Sequence, residues 1–340
     1  MSDAPGMPNT TRSTPKGQSI ESLYLLKALC AFLVVVIHCN MWGKSALQPI
    51  MGIATPCFLC ITGYFLYSGE KAAEQQKAIR WAKKAFMLSL AINAVYLLQQ
   101  LKDGASVAEY TTAEQLPLLI TGTAFSLHLW YLSAMWMGLL LFYLLRRSAP
   151  AIIIYTPLLY LWSHICYKWG TVIFPDCTEQ QLFIMRCNGL IVGLPFLCTG
   201  YLLAKYRQRF AAAWQVPLCF TLSLFFLFNG AAICSFLHLQ TYGWLHFCSL
   251  YIFICSLMLL CVRYRNMRIP MLNTIGRCHS ANIYFFHILV LIYLKRSDYD
   301  ASGMQAIIVF LCCIPISFLI NTLHAASRYT YGKLRTHSPE

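Results

Sequence analysis

The sequence predicts an all-α membrane protein with about ten transmembrane helices. Hydrophobic residues make up 58% of its 340 residues, and charged residues make up only 11%. Soluble domains carry about 25% charged residues, so a water-soluble fold of this composition would lack a polar surface. Apolar segments of about 20 residues, long enough for a helix to cross a ~30 Å hydrocarbon core, recur along the whole chain.

Ten segments are long and apolar enough to be spans, and we take them in chain order. The first is not a cleaved signal peptide, because it contains Lys27 and His38 and no small-x-small cleavage pattern follows it. The next seven and the tenth are apolar segments bounded by polar or basic residues. The ninth is the shortest and contains His279 and His287, so hydropathy supports it least. The expected spans are residues 22–41, 49–68, 82–101, 125–145, 151–169, 187–205, 216–234, 243–262, 279–294 and 304–324.

We expect one membrane domain between two tails. Residues 1–18 are polar and rich in Ser, Thr and Pro, which predicts a disordered cytoplasmic tail. Residues 19–325 form the transmembrane domain, and residues 326–340 form a second cytoplasmic tail.

The Lys and Arg residues orient the spans. The chain has 26 of them against 12 Asp and Glu, a formal net charge of +14. With the N-terminus inside, Lys27 lies within a span and 19 basic residues lie in inner segments. Only six lie in outer segments, namely Lys44, Lys102, Lys168, Arg186, Lys295 and Arg296. Basic residues accumulate on the cytoplasmic side of membrane proteins, so both termini are predicted to be cytoplasmic and no nucleic-acid partner is expected.

The 16 cysteines do not indicate a disulfide framework. Most lie inside apolar segments, where a free cysteine behaves as a small hydrophobic residue. Cys57 and Cys60 have zinc-ribbon spacing, but no second pair follows, and a structural zinc needs four ligands. We therefore expect no metal. A disulfide between Cys166 and Cys177 is left open.

The first span contains two ionisable residues, which are costly in a membrane and are candidates for function. Lys27 and His38 are eleven residues apart, which puts them on one helix face and ~16 Å apart along the axis. Lys27 could instead extend to the inner headgroups, and His38 could be a core histidine with a hydrogen bond to another helix.

Further polar residues occur in the fourth and ninth spans. Ser280, Tyr284 and His287 follow one another at i, i+4 and i+7, so they line one helix face, which must contact protein or a water-filled cavity. His128 and Trp130 open the fourth span from the outer side, where an aromatic residue is also consistent with an interfacial belt.

Basic residues cluster where the third span begins. Arg80, Lys83 and Lys84 have helical spacing there, which fits either ordinary topology charge or a clamp for a nucleotide's phosphates. The sequence contains no glycine-rich phosphate loop, no G-x-S-x-G nucleophile elbow and no H-E-x-x-H motif. Hydrolases of the soluble type and zinc proteases are therefore disfavoured.

Five segments form an ordered set of motifs. The first runs from Lys27 to His38 with a basic-x10-His pattern, and the others are residues 56–65, 80–83, 128–132 and 276–287. In this order they resemble the motifs of acyltransferase family 3. The members of that family are ten-span bacterial enzymes that modify surface glycans, often by O-acetylation. Lys83 stands where the family usually has Arg, and Thr62 where it usually has Ser. The resemblance covers about residues 19–325.

The resemblance implies a multi-pass acyltransferase of the bacterial cytoplasmic (inner) membrane. Such an enzyme would move an acyl group, with acetyl expected, from acyl-CoA to a hydroxyl of a cell-surface or lipid-linked glycan. It implies that His38 is the general base with Lys27 as the second catalytic residue, and that Arg80 and Lys83 bind acyl-CoA. A neutral histidine suits this chemistry because it takes up protons near neutral pH. Substrate binding or oxyanion stabilisation would fall to His128, Trp130, Ser280, Tyr284 and His287.

Two other functions are kept as alternatives. A polysaccharide or lipid flippase, or an exporter component, would place them along a continuous polar path. A membrane scaffold or sensor would leave the face of Lys27 and His38 without a role. In every case the partners include membrane lipids.

Overall fold

The computed structural model of the protein describes residues 19–110, 112, 115–211, 213–238, 242–296 and 303–336. These residues are helical and contain no β-strand, which confirms the all-α prediction. Fifteen α-helices occur among them: α1 (Glu21–His38), α2 (Lys44–Met51), α3 (Ala54–Leu66), α4 (Lys71–Lys102), α5 (Leu116–Thr121), α6 (Trp130–Leu145), α7 (Ala149–Ile173), α8 (Glu179–Arg186), α9 (Leu194–Lys205), α10 (Arg207–Ala211), α11 (Gln215–Phe236), α12 (Tyr242–Arg263), α13 (Pro270–Thr274), α14 (Ser280–Arg296) and α15 (Gln305–Thr336).

The helices agree with a polytopic membrane protein of about ten spans. Eight helical segments of the described chain are long and apolar enough to cross a membrane. One of them, Leu127–Ile173, holds both α6 and α7, joined by a 3-10 turn at Arg146–Ser148. Helix α4, which contains the third expected span, is not among the eight, and its first half carries several charges.

Among the differences between the expected spans and the observed helices, two concern the second and the ninth spans. The second is divided at Gly52 into α2 and α3. The ninth begins earlier than hydropathy indicates, because a π-helical turn at Ile275–His279 joins α13 to α14 and continues the helix through polar residues. Sequence analysis missed this extension because the residues before His279 are polar enough to look like a loop. Such π-helical turns are frequent at functional sites.

One end of the bundle, which we call the basic end, is defined by the start of α1 and the loop that follows α12. There the amide of Glu21 donates to the carbonyl of Arg265 at 2.8 Å. The side chain of Asn273 in α13 donates to the carbonyl of Glu21 at 2.7 Å. The guanidinium of Arg277 pairs with the Glu21 carboxylate at 2.5 Å. Through Asn273 and Arg277, these contacts join α13 and the π-helical turn before α14 to α1.

The other end of the bundle is held by contacts of α1 with α15 and of α4 with α14. The amide of Asn40, just beyond α1, donates to the side chain of Gln305 at 2.9 Å. Asp103 at the end of α4 pairs with Arg296 at the end of α14. The hydrogen bond from Arg296, together with one from Gln99, lowers the pKa of the Asp103 carboxyl. Both ends of α14 are therefore connected to neighbouring helices.

Small residues let the central helices approach closely. A Cβ atom at Gly276 would collide with the carbonyl group of Tyr24 in α1. A Cβ atom at Gly200 in α9 would collide with the carbonyl of Cys60 in α3. Close backbone contact is a usual way to hold membrane helices together, because burial of apolar side chains gains little when the alternative is lipid. The contact at Gly276 places α14 directly beside α1.

A buried ion pair lies near the basic end. Glu74 of α4 and Arg146 after α6 are 2% and 6% exposed, and their side chains are 2.5 Å apart. The second carboxylate oxygen of Glu74 accepts hydrogen bonds from the amides of Ser68 and Gly69, each at 3.1 Å. The hydroxyl of Tyr201 in α9 donates to the carboxylate at 3.0 Å. This pair, which sequence analysis did not identify, therefore joins α4, α6, α9 and the loop after α3.

The two expected tails are only partly described. Residues 1–18 and 337–340 lie outside the described residues. Helix α15 continues beyond residue 325, where the transmembrane domain was predicted to end, as far as Thr336.

Candidate active site

Three histidines from distant parts of the chain come together in the half of the bundle away from the basic end. His38 is the last residue of α1, His128 lies in a 3-10 turn before α6, and His287 lies in α14. The ring centroid of His287 is 5.2 Å from that of His38 and 5.2 Å from that of His128. The centroids of His38 and His128 are 6.3 Å apart. We call these residues the histidine cluster.

His128 is buried, and both of its ring nitrogens have partners. Its Nδ1 lies 2.6 Å from the hydroxyl of Ser126, and its Nε2 lies 3.3 Å from the hydroxyl of Tyr96. Tyr96 donates its single hydroxyl proton to the carbonyl of Phe285 at 2.8 Å, so it can only accept from His128. His128 therefore carries its proton on Nε2 and accepts at Nδ1 from Ser126.

His287 is fully buried, and among the described residues only one of its ring nitrogens has a partner. Its Nδ1 lies 2.7 Å from the carbonyl oxygen of Tyr284 and 3.2 Å from that of Ile283. Among the described residues, its Nε2 has no hydrogen-bond partner. His38 differs from both other histidines, because it is exposed. The cluster therefore contains one accessible ring and two buried ones.

A cavity of about 630 Å³ occupies the half of the bundle at the basic end. Its wall carries the ammonium-bearing side chains of Lys27, Lys77 and Lys84 among mainly apolar residues such as Trp81. Lys84 is exposed, so the cavity reaches the surface on that side. A cavity of this size is typical of small-molecule sites.

Two tyrosines separate the cavity from the histidine cluster. Tyr131 and Tyr284 both line the cavity, and their ring centroids are 5.0 Å apart. The ring of Tyr284 is also 6.1 Å from that of His287 and 6.0 Å from that of His128. Its hydroxyl donates to the carbonyl of His128. The cavity and the cluster are therefore neighbours on opposite sides of an aromatic layer.

The structure divides the two residues predicted as a catalytic pair. His38 joins the histidine cluster, whereas Lys27 lies on the cavity wall nearer the basic end. Their predicted separation of ~16 Å along α1 exceeds the reach of the lysine side chain. Lys27 and His38 therefore face different regions of the protein, and Lys27 belongs with the cavity.

The residues predicted to bind substrate or an oxyanion are also divided. Ser280 and Tyr284 line the cavity, but Ser280 donates its hydroxyl proton to the carbonyl of Gly276 at 2.9 Å. Trp130 is half-buried, and its ring packs against that of Phe183 at 6.0 Å. The hydroxyl protons of Ser280 and Tyr284 are thus both committed to carbonyl groups in this arrangement.

The basic residues of α4 differ in whether they line the cavity. Arg80 and Lys83, which were predicted to bind acyl-CoA, are exposed and do not line the cavity. Lys77 and Lys84 do line it. These two residues are seven positions apart, which puts them on one helix face, so helical spacing could have identified them. Tyr96 and Ser126 were also missed, since nothing in the local sequence shows that they contact His128.

The cysteines form no disulfide among the described residues. All 16 are free thiols, including Cys166 and Cys177. Within the described part of the chain, no group of three or more His, Cys, Asp or Glu residues is arranged to hold a metal ion.

Comparison with protein-family models assigns the chain to a family. The model of an acyltransferase domain, that of acyltransferase family 3, matches residues 20–324. The chain belongs to this family. The match confirms the resemblance drawn from the five motifs, and it identifies the protein as a membrane acyltransferase. No curated protein and no solved structure matches the acyltransferase.

Proposed function

We propose that this acyltransferase moves an acyl group, most simply acetyl, from acyl-CoA to a hydroxyl of a cell-surface or lipid-linked glycan. His38 is the general base in this proposal. The observation that carries it is the position of His38, an exposed ring in a cluster of buried histidines next to a lysine-lined cavity. We further propose that the enzyme resides in the bacterial inner membrane with both termini in the cytoplasm.

The cavity suits an acyl-CoA donor. A nucleotide and its phosphates would lie at the basic end, where Arg80 and Lys83 are exposed beside the cavity-lining lysines of α4. The thioester arm and acyl group would enter the cavity past Lys27, because its wall is mainly apolar with few cations. Phosphates attract lysine and arginine as charged hydrogen-bond donors, which agrees with this orientation.

The reaction needs one proton transfer in each direction. An accessible nitrogen of His38 removes the proton of the acceptor hydroxyl while the hydroxyl oxygen bonds to the thioester carbonyl carbon. The carbon–sulfur bond then breaks, and His38 returns the proton to the departing sulfur. The products are an ester of the glycan and the free thiol of CoA, so atoms and charge balance.

The aromatic layer favours transfer over translocation. A flippase needs a polar path for its sugar, whereas Tyr131 and Tyr284 present rings between the cavity and the histidine cluster. The reacting acyl group has to pass only this layer to reach His38.

The proposal is tested with the purified protein in phospholipid nanodiscs, supplied with labelled acetyl-CoA and a panel of alkyl glycosides and lipid-linked sugars. We expect acetyl transfer by the wild type. His38→Ala is expected to lower the rate by ~10²–10⁴, the usual effect of losing a general base, while acetyl-CoA still binds. His38→Gln keeps a hydrogen-bonding side chain but cannot take the proton, so it is expected to be equally inactive.

His164→Gln provides a matched control, because this histidine lies in α7 outside the cluster and stacks on Tyr160. Its activity should equal that of the wild type. Wild-type turnover by a folded His38→Gln protein would make His38 a structural histidine. Movement of a sugar lipid across the bilayer without acetylation would favour the flippase.

A further inference from the structure

His287 can accept a hydrogen bond, but its one ring proton is already donated to backbone carbonyls. The carbonyl oxygens of Tyr284 and Ile283 lie 2.7 Å and 3.2 Å from its Nδ1, and carbonyl oxygens only accept, so the ring proton is on Nδ1. The lone pair of the neutral ring is therefore at Nε2. That atom is buried and without a partner among the described residues, which is costly unless a donor is supplied. Oxyanion stabilisation, which requires a donor, does not fit this ring.

His38 is the neighbouring ring that is free to supply a proton. The ring of His128 is equally close at 5.2 Å, but its proton is directed to Tyr96 and its other nitrogen accepts from Ser126. The ring of His38 makes no hydrogen bond to another side chain of the described structure, and its centroid is 5.2 Å from that of His287. Two imidazoles joined by an N–H···N bond of about 3 Å have centroids about 5 Å apart.

The exposure of the two rings sets the order in which a substrate meets them. His287 is 0% exposed, whereas His38 is exposed. An acceptor hydroxyl therefore reaches His38 first, and His287 lies behind it.

We infer that His287 is a positioning residue for His38. The two rings are not hydrogen-bonded in this arrangement. On a small turn of the His38 ring, the Nε2 of His287 accepts its ring proton and thereby directs the unprotonated nitrogen of His38 toward the acceptor hydroxyl. When His38 takes the hydroxyl proton it becomes an imidazolium, and its hydrogen bond to His287 becomes charge-assisted and stronger. The proton then leaves from the accessible nitrogen to the sulfur of CoA. This inference rests on the proposed function, because it assigns the partner of the proposed base.

The competing explanation is that His287 only stabilises α14. In that case its useful contact is the Nδ1 hydrogen bond to the carbonyls of the preceding turn. The two ring nitrogens can be tested separately, because the side chain of Asn can replace the first and that of Gln the second. Asn at position 287 keeps a donor near Nδ1 and lacks an acceptor near Nε2. Gln keeps an acceptor near Nε2 and lacks the donor near Nδ1.

The experiment compares wild type, His287→Gln and His287→Asn in the labelled acetyl-CoA assay, with thermal stability measured for each. We expect His287→Gln to keep kcat within about tenfold and His287→Asn to lose roughly 10–100-fold, by analogy with losing the orienting partner of a metal-bound histidine. The KM for acetyl-CoA should stay unchanged in both, because His287 does not line the cavity. His279→Gln is the control, since that ring contacts Ser317 of α15 and lies outside the cluster.

A second measurement uses the His38→Ala background. If His287 acts through His38, then adding His287→Asn should lower the residual rate no further. The comparison of His38→Ala with the double variant can be interpreted even where the single variants at position 287 differ in stability.

Several outcomes would overturn the inference. They are a more active Asn than Gln variant, equal losses in both with lowered stability, or a further loss in the His38→Ala background. Failure of the proposed function would look different, because the wild type itself would then transfer no acetyl group to any acceptor offered.

Discussion

The three clustered histidines have the same chemistry and different hydrogen bonds. His128 has both ring nitrogens engaged, His287 has one, and His38 has none to another side chain of the described structure. A side chain with both nitrogens engaged has no capacity left for a substrate, so His128 holds the site together. The roles within the cluster therefore follow from the surrounding carbonyl and hydroxyl groups.

We predict the tautomers of the two buried rings. Because Tyr96 can only accept and the carbonyls near His287 can only accept, His128 should be protonated at Nε2 and His287 at Nδ1. Nitrogen NMR of protein labelled with 15N-histidine distinguishes protonated from unprotonated ring nitrogens. Spectra of the His128→Gln and His287→Gln proteins assign the signals. A proton on Nε2 of His287 would contradict the assignment.

Helix α4 combines a cavity wall with a charged outer face. Arg80 and Lys83 are on the exposed side of the helix, close in sequence to the cavity-lining Lys84. In the proposed reaction, these exposed cations would contact the phosphates of acyl-CoA while its acyl arm enters the cavity.

We predict that replacing both Arg80 and Lys83 with Ala raises the KM for acetyl-CoA, leaves the KM for the acceptor unchanged and makes donor binding less sensitive to salt. Steady-state kinetics at two ionic strengths measure all three effects. The control replaces Arg207 and Arg209, another exposed basic pair in α10. Equal changes in both double variants would indicate general attraction to a basic surface and no specific clamp.

The buried Glu74–Arg146 pair determines how α4 meets its neighbours. Glu74→Gln keeps an oxygen for the loop amides but leaves the Arg146 charge facing an amide, so we predict a destabilisation of about 3–5 kcal/mol. Thermal unfolding in detergent measures it. Glu70→Gln, at an exposed position before α4, should leave the melting temperature unchanged. A similar melting temperature for the two variants would show that the pair contributes little.

Within the described residues, the cations of the cavity wall and the histidine cluster lie in opposite halves of the molecule. The lysines on the cavity wall lie toward the basic end, and the cluster lies beyond Tyr131 and Tyr284. In the proposed reaction, this arrangement would let a cytoplasmic donor and an acceptor at the outer face approach His38 from different sides.

The orientation in the membrane is a prediction at this scale. From the 19 inner and six outer basic residues, we expect ten spans with both termini and the segment 263–277 in the cytoplasm. Reporter fusions placed in that segment, after residue 340 and in the outer segment around Lys168 would test it. An outside location for either of the first two would reverse the orientation or change the span count.

Much of the architecture could be predicted from composition and helical spacing. Apolar content predicted a membrane protein, and segment length predicted most of its spans. A helix that crosses a bilayer needs about 20 apolar residues regardless of which helices it packs against. The spacing of Ser280, Tyr284 and His287 correctly put them on one face of α14. The motif order led to the family.

Only the tertiary structure decided which of these residues meet. His38, His128 and His287 come from three separate helical segments, and the approach of Gly276 to Tyr24 brings two of those segments together. Hydropathy cannot show such pairings, because an apolar helix face is equally stable against lipid and against another helix. The placement of Lys27 on the cavity wall, away from His38, likewise depends on packing that no spacing along the chain records. The same holds for the Nε2 of His287, which has no partner among the described residues.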